Sequence, residues 1–337
     1  MISQSIQLLY PNFFSVSYYK VEMKDKVLIR PDFLALCHAD QRYYQGKRSA
    51  EVLRLKLPMA LIHEACGRVV FDPSGQFNQG QKVVMIPNDP PEIVKGYYEN
   101  YLEGTGFLSS GRDGFMREIV ELRPDRVVPY YDIPEKIAAI TEFVSVAFHG
   151  VERLKKLLPN EPNHVAVYGD GNLSFTQCLV LRYSFPNIKI SVIGKHNEKL
   201  RLFSFVDNKY FLDQVPKDLS FEHAFECVGG EGSFDAINSI IENIKPQGNV
   251  ILMGVSEYKG AINTRDILEK GLIFVGSSRS GREDFIKAAE FLQQPRIQSA
   301  FELILRYAGD VSSIQDIHQV FKEDQSMPGK TVFKWGY

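Results

Sequence analysis

The 337-residue sequence is short of cysteine, of net charge and of long apolar runs, and each shortage removes a class of protein. Its four cysteines, Cys37, Cys66, Cys178 and Cys227, lie far apart and form no Cys-x-x-Cys pair. That argues against a disulfide framework and against a four-cysteine zinc knot, and it fits a reducing cytoplasm. The formal net charge is −2, so there is no basic field for nucleic acid or for an anionic membrane surface. Charged or turn residues interrupt every apolar run before it reaches membrane-spanning length. The opening Met-Ile-Ser-Gln-Ser-Ile-Gln lacks the basic segment and long apolar core of a signal peptide. No internal repeat or low-complexity segment is visible. What remains is an ordinary globular composition at a length that suits two domains.

The clearest local pattern lies just past the midpoint. Val165-Ala-Val-Tyr168 is rich in β-formers, Gly169 and Gly171 follow, and a helical pattern starts at Leu173. A dinucleotide-binding unit starts this way: the first glycine makes the tight turn, the second lets backbone approach a pyrophosphate, and the helix aims its N–H groups at the phosphates. Ser174 stands where a third glycine is usual. Two chance glycines between a strand and a helix would look the same. Beyond this point strands are expected at 188–193, 210–212, 223–228, 248–253 and 272–275, separated by helical runs such as 233–244. That alternation predicts an α/β domain with a doubly wound parallel sheet and right-handed crossovers.

The flanking regions read differently. Residues 1–36 form short strands punctuated by Pro31 and Asp32, and further strands are expected in the second half of 57–71, in 77–85 and across 114–122. Residues 87–113 are irregular, and an insertion that long is more often functional than idle. An apolar stripe at helix spacing runs from Ile137 to Val151. Residues 283–293 are helical, a polar region follows, and 329–335 form a strand that returns to the first domain. The division expected is a β-rich domain of residues 1–142 and 281–337 around a nucleotide domain of residues 143–280.

A second constellation carries chemistry. Cys37, His63, Glu64 and Glu142 lie in three segments, each close to a turn or domain edge. Thiolate, imidazole and carboxylate are the protein ligand types for zinc, and a catalytic site uses three of them with one position open. On spacing alone, Cys37 reads equally as a small core residue, His63 as a core histidine and Glu142 as a solvated charge on a helix.

Cofactor choice follows from the tip of the second strand of the nucleotide domain. NAD-binding units usually place an acid there, about 20 residues past the glycine turn. Here the strand ends Val192-Ile-Gly194-Lys195-His196-Asn197, without a carboxylate. Lys195, with His196, Lys199 and Arg201 nearby, would neutralise a 2′-phosphate, so NADP(H) is expected. A solvated basic turn would have the same composition.

Cys37-His-Ala-Asp40 with Tyr43-Tyr44, His63-Glu64 followed by Gly67, Thr141-Glu142-Phe-Val-Ser-Val-Ala-Phe-His149 and Gly169-Asp-Gly-Asn-Leu173 resemble the zinc-containing medium-chain alcohol and polyol dehydrogenases. The glutamate at 142 resembles the sorbitol-dehydrogenase branch. The segments 37–44, 113–116, 169–173, 225–230 and 276–281 resemble more narrowly the ribulose-5-phosphate reductases (ribitol-5-phosphate dehydrogenases) of teichoic-acid and capsule precursor synthesis. The resemblance covers essentially the whole chain. It implies a GroES-like catalytic domain beside a Rossmann domain. It implies zinc on Cys37, His63 and Glu142, with Glu64 a ligand at some stage of the cycle. Residues 87–113 hold no cysteine, so one catalytic zinc and no structural zinc is expected.

The resemblance also assigns roles. Asp40 would orient a ligand. Ala39 replaces the hydroxyl residue that usually relays the alcohol proton, which leaves Glu64 with water as the proposed route. The cofactor would meet His38 at its pyrophosphate, the turn residues Gly169, Gly171, Asn172 and Leu173, the basic Lys195, His196 and Lys199, and Val255 and Ser277. Tyr43 and Arg279 match substrate-contacting positions, and Arg42, Arg48 and Arg112 are candidates for a sugar phosphate because guanidinium can grip two phosphate oxygens. Each of those last three also reads as an ordinary surface arginine. A homo-oligomer, dimer or tetramer, and a cytidylyltransferase partner are expected by the same analogy. The alternatives are a dehydrogenase of another polyol or polyol phosphate, and a non-catalytic nucleotide-binding relative.

Overall fold

Short stretches of alternating apolar and polar side chains bury one face and so fold as antiparallel strands, and the first third of the chain is built from them. The computed structural model describes every residue except Tyr258. The chain divides into two units: residues 1–145 with 280–337, and residues 146–279.

In the first unit one sheet runs, edge to edge, through Val127–Pro129, Lys82–Met85, Glu64–Phe71, Val27–Ala35, Lys330–Trp335 and Leu305–Val311, and Val120–Leu122 also pairs with Val27–Ala35. A smaller sheet joins Phe13–Lys20, Ile2–Tyr10 and Met59–Ala60. Pro31 and Asp32 do not end a strand, as the sequence suggested: Val27–Ala35 passes through both. The register against Glu64–Phe71 shifts between Pro31 and Phe33, which accommodates a residue that cannot donate to the ladder. Gly67 lies opposite Pro31, and a Cβ there would stand 2.2 Å from the Arg30 carbonyl oxygen, so only glycine allows the approach.

The predicted strand 114–122 is mostly not a strand. Only Val120–Leu122 joins the large sheet, because the backbone N–H groups of Gly114, Phe115 and Met116 donate instead to the carbonyls of Ala60, Ile62 and Leu61. Those bonds pin the loop that leads into His63. The supposedly polar region after residue 293 holds helix Pro295–Glu302, strand Leu305–Val311 and helix Ile314–Ser326. Polar residues dominate the outer face of that last helix, while Ile317, Val320 and Phe321 bury a narrow stripe. A reciprocal cap, Ser313 with Asp316, starts it.

The cysteine-free lobe, residues 87–113, is a two-strand ribbon of Asn88–Asp89 with Gly106–Phe107 and a single turn at Glu99–Tyr101. A buried ion pair anchors it. Arg126 donates through Nη1 and Nη2 to the two Glu99 oxygens at 2.6 and 3.2 Å. The Arg282 backbone N–H reaches the same Glu99 at 2.8 Å.

The second unit is a six-stranded parallel sheet in the order Asn208–Phe211, Lys189–Gly194, His164–Tyr168, Phe221–Glu226, Ile244–Leu252, Ile273–Gly276. Its two central strands are buried at every position except Glu222, as a sheet covered on both faces requires. No helix among the described residues is long and apolar enough to cross a membrane.

Candidate active site

Cys37 caps the start of helix His38–Tyr44, directly after the strand that ends at Ala35. Asp40, in the first turn, reaches back to accept from the Cys37 N–H through Oδ2 at 3.1 Å. The Cys-x-x-Asp spacing is thus a helix-start device that fixes a thiol and a carboxylate together. The other Asp40 oxygen, Oδ1, accepts from the Ile62 N–H at 2.9 Å and from the Ser109 hydroxyl at 2.8 Å, and it faces His63 Nδ1 at 3.7 Å. Ile62 has φ of +69°, a strained conformation for a β-branched residue, held immediately before His63.

The ligand atoms of Cys37, His63 and Glu64 all lie within 4.8 Å of one another. His63 Nδ1 and Glu64 Oε2 are buried without a hydrogen-bond partner. Orphaned buried polar atoms cost free energy, so they are rare unless the site serves another group. A soft thiolate, an imidazole and a carboxylate brought together at this depth suit zinc. Glu142, the other carboxylate expected at the metal, is buried in the first turn of helix Thr141–Lys155 and is not one of this close trio. Glu142 nonetheless feels the charges of His63, Glu64 and Lys330.

Lys330 was missed in the sequence, where a lysine opening a C-terminal strand carries no signal. It is buried, donates through Nζ to Glu64 Oε1 and to the Leu36 carbonyl (2.8 Å for the latter), and lies 4.7 Å from the Phe143 ring centre. The charges balance against one another. Burial disfavours the His63 cation, but the Asp40 carboxylate and the Cys37 sulfur outweigh it and raise the imidazole well above its usual range. Burial raises Asp40, and the adjoining His63 with the Ser109 and Ile62 hydrogen bonds more than reverses that. Burial raises Glu64 despite Lys330, and burial together with the Glu64 charge pushes Glu142 up to about 7.

Around helix His38–Tyr44 the charges are mixed. His38 is lowered by burial and by the neighbouring Arg42, Lys47 and Arg48, against an opposing pull from Asp324. Tyr43 is buried, with the Arg48 guanidinium 5.1 Å from its ring centre. Arg112 is already committed: it pairs with Asp89 at 2.7 Å and packs over Gly106.

In the second unit a cavity of about 260 Å³ is lined by Gly169, Gly171, Gly194, Lys195, His196 and Lys199, with others. Gly169 has φ of +123°, and a Cβ on it would meet the Ser174 hydroxyl at 2.5 Å. The serine that replaces the third glycine therefore packs against the first. Asn172 and Leu173 open helix Asn172–Ser184. Val255 lies beside the pocket loop, its carbonyl accepting from the Gly230 N–H, and the Ser277 N–H donates to the Leu252 carbonyl. Arg279 holds φ of +61°.

The tip of the second strand does carry a carboxylate, contrary to the sequence reading, because Asp170 reaches it from between the two glycines. Its Oδ2 accepts from the N–H groups of Lys195 and His196, each at 2.7 Å, and meets His196 Nδ1 at 2.9 Å. Burial raises Asp170, but these hydrogen bonds prevail and lower it. Its acceptor capacity goes to shaping the basic turn.

Residues 23–135 match the model of the alcohol dehydrogenase GroES-like domain. The chain is 52% identical to the ribulose-5-phosphate reductase of Streptococcus pneumoniae (strain R6), covering 99% of this chain and 98% of that one. It belongs to the medium-chain zinc dehydrogenase family, among the ribulose-5-phosphate reductases. Ribulose-5-phosphate reductase 1 of Staphylococcus aureus is 46% identical, over 99% of each chain. The crystal structure of S. aureus TarJ in complex with NADPH superposes with a TM-score of 0.89 at 43% identity, covering 100% of both chains. For this medium-chain dehydrogenase the GroES-like match takes in Cys37, His63 and Glu64 but ends before Glu142 and Lys330.

Proposed function

We propose that this chain reduces D-ribulose 5-phosphate to D-ribitol 5-phosphate, with NADPH as reductant and a single zinc ion at Cys37, His63 and Glu64 or Glu142. The buried trio, with Glu64 Oε2 left without a partner, is the observation that carries the reading, and the full-length relatives supply the substrate. Zinc held there would supply Lewis-acid polarisation of the substrate carbonyl. NADPH, for which the pocket at Gly169, Gly171, Lys195 and His196 is suited, would supply the hydride.

The chain's own residues do the positioning. Asp40 holds Cys37 and the Ile62–His63 backbone in one arrangement and turns His63 Nδ1 towards itself, which leaves Nε2 for the ion. Glu64, paired with Lys330, is the carboxylate placed to hold a proton near the ligands, since Ala39 offers no hydroxyl. Tyr43 and Arg279 would line the sugar, with Arg42 and Arg48 serving its phosphate. Residues 1–142 with 281–337 are the catalytic domain and 143–280 the nucleotide domain. The enzyme works in the cytoplasm as a homo-oligomer, and its product feeds a cytidylyltransferase that makes CDP-ribitol for teichoic acid or capsule.

The test is NADPH oxidation with ribulose 5-phosphate and with unphosphorylated ribulose, before and after a zinc chelator. Turnover of the phosphate ester alone, abolished by chelation, is expected. Equal turnover of ribulose would reject the phosphate site, and full activity after chelation would reject the metal.

A further inference from the structure

Two residues near the metal trio hold backbone conformations that their side chains resist. Ile62 lies at φ +69° and Ser109 at φ +63°, and neither is glycine. They come from distant segments, yet both donate to the same atom, Asp40 Oδ1: Ile62 through its N–H at 2.9 Å, Ser109 through its hydroxyl at 2.8 Å. That oxygen also faces His63 Nδ1. Strain of this kind persists only where surrounding bonds over-determine it. All the groups are buried: Asp40 at 0% exposure, Ile62 at 0%, Ser109 at 4% and His63 at 6%. Water therefore offers no ready replacement for a lost donor.

Ser109 belongs to the cysteine-free lobe, and its loop is closed by its own N–H on the Arg112 carbonyl at 2.9 Å. Two residues earlier, Phe107 sets its ring 5.2 Å from that of His63. The lobe thus touches the metal side twice, once through a hydroxyl on the carboxylate behind His63 and once through a ring against the imidazole. Glu99 and Arg126 fix the base of the same lobe.

We propose that Ser109 is a positioning residue of the metal centre: its hydroxyl fixes the Asp40 oxygen that faces His63, so the lobe sets the orientation of that ligand. This rests on the reading of Cys37, His63 and Glu64 as a zinc site and is independent of the substrate. Without the hydroxyl, Asp40 keeps the Ile62 bond but loses one of two restraints on Oδ1. Outer partners of ligands typically govern metal affinity or activity by about 10- to 100-fold, and a group one step further out belongs at the lower end.

The experiment compares the zinc-loaded enzyme with its Ser109→Ala and Ser109→Gly variants. It reads zinc release to a chromophoric chelator and the visible d–d bands of the cobalt(II)-substituted proteins. Glycine tolerates positive φ without cost, so Ser109→Gly separates the hydroxyl from the strain and guards against a variant that does not fold. Both variants are expected to release zinc about tenfold faster than the parent, with shifted cobalt bands. Ser110→Ala is the control, since the Ser110 hydroxyl serves Lys56 at 2.8 Å and not Asp40; it should match the parent. Parent-like release and bands in both Ser109 variants overturn the proposal. So does recovery in Ser109→Gly alone, which would point to strain, or equal loosening by Ser110→Ala, which would point to the lobe in general. A parent chain that binds no zinc overturns the metal reading as well. One that binds zinc but does not reduce ribulose 5-phosphate overturns only the substrate.

Discussion

The metal side and the cofactor side of this enzyme solve the same problem, the holding of charge, by opposite means. On the metal side, groups from positions 37, 40, 63, 64, 142 and 330 are drawn from across the sequence; all but Cys37 are nearly inaccessible, and each leans on another. On the cofactor side, Lys195, His196 and Lys199 lie within five residues on an exposed turn, tied down by Asp170. Buried polar networks are strong when complete and costly when broken, because no solvent replaces a missing member. Exposed charges lose little, since water and salt already screen them. A single substitution should therefore cost far more on the metal side.

The sharpest contrast comes from the ligands. Cys37→Ala or His63→Ala should lower the turnover of ribulose 5-phosphate by roughly a thousandfold or more. That follows from the several kcal/mol of charge stabilisation a metal gives a transition state, at about 1.4 kcal/mol per tenfold. Rates should be read beside zinc content measured by elemental analysis. A His63→Ala protein with full zinc and full rate would remove the trio from the chemistry.

Next is Lys330. Lys330→Met leaves the Glu64 carboxylate buried without its cation, and breaking a buried pair from one side costs about 3–5 kcal/mol. Urea unfolding of the metal-free protein should show that loss, and adding Glu64→Gln should recover more than half of it. A loss below about 1 kcal/mol would mean that solvent reaches the pair, and the comparison of buried with exposed charge would fail at its clearest point.

Legibility in the sequence followed the same divide. The glycine turn and the alternation of strand and helix after it are local, so residues 165–275 could be read with only small errors at element ends. The segments holding Cys37, His63–Glu64 and Glu142 were visible as motifs through resemblance. What tied them together was not. Lys330 lies 266 residues from Glu64, and Ser109 lies 69 from Asp40 in a lobe without regular pattern. Such partners are selected by the fold, and nothing in their neighbours along the chain marks them. Asp170 was hidden for another reason: it sits inside the glycine motif, where the glycines draw the eye, while its hydrogen bonds go to residues 25 and 26 positions on. The helix Ile314–Ser326 escaped because its buried stripe is narrow and its outer face polar.

On the cofactor side, Lys195→Asp should raise the Michaelis constant for NADPH by about 10- to 100-fold, the worth of a hydrogen bond to a charged group, and lower that for NADH. Asp170→Asn should have a smaller effect of the opposite sign, a modestly lower Michaelis constant for NADPH, because the amide oxygen can still accept from the backbone of the turn but no longer offsets its charge. An equal change with both cofactors in either variant would detach the basic turn from the 2′-phosphate.

The smallest effect is one of pH. Glu142 is raised to about 7 in the folded metal-free chain by burial first and by the Glu64 charge second, against an ordinary value of 4.5. The folded state therefore keeps a proton that the unfolded state gives up. Its contribution to stability is full below about 4.5, declines through the window between, and is gone above about 7. Glu64 and His63 are also raised, so they act with the same sign, His63 at higher pH because its ordinary value is 6.5. The unfolding temperature of the metal-free protein should fall by a few degrees from pH 5 to pH 7.5, and Glu142→Gln should lessen that fall without abolishing it. Zinc needs the deprotonated donors, so the zinc-loaded protein must show the opposite slope, gaining stability over the same range. Parallel slopes with and without zinc would mean that the carboxylates near the trio do not share their protons with a metal at all.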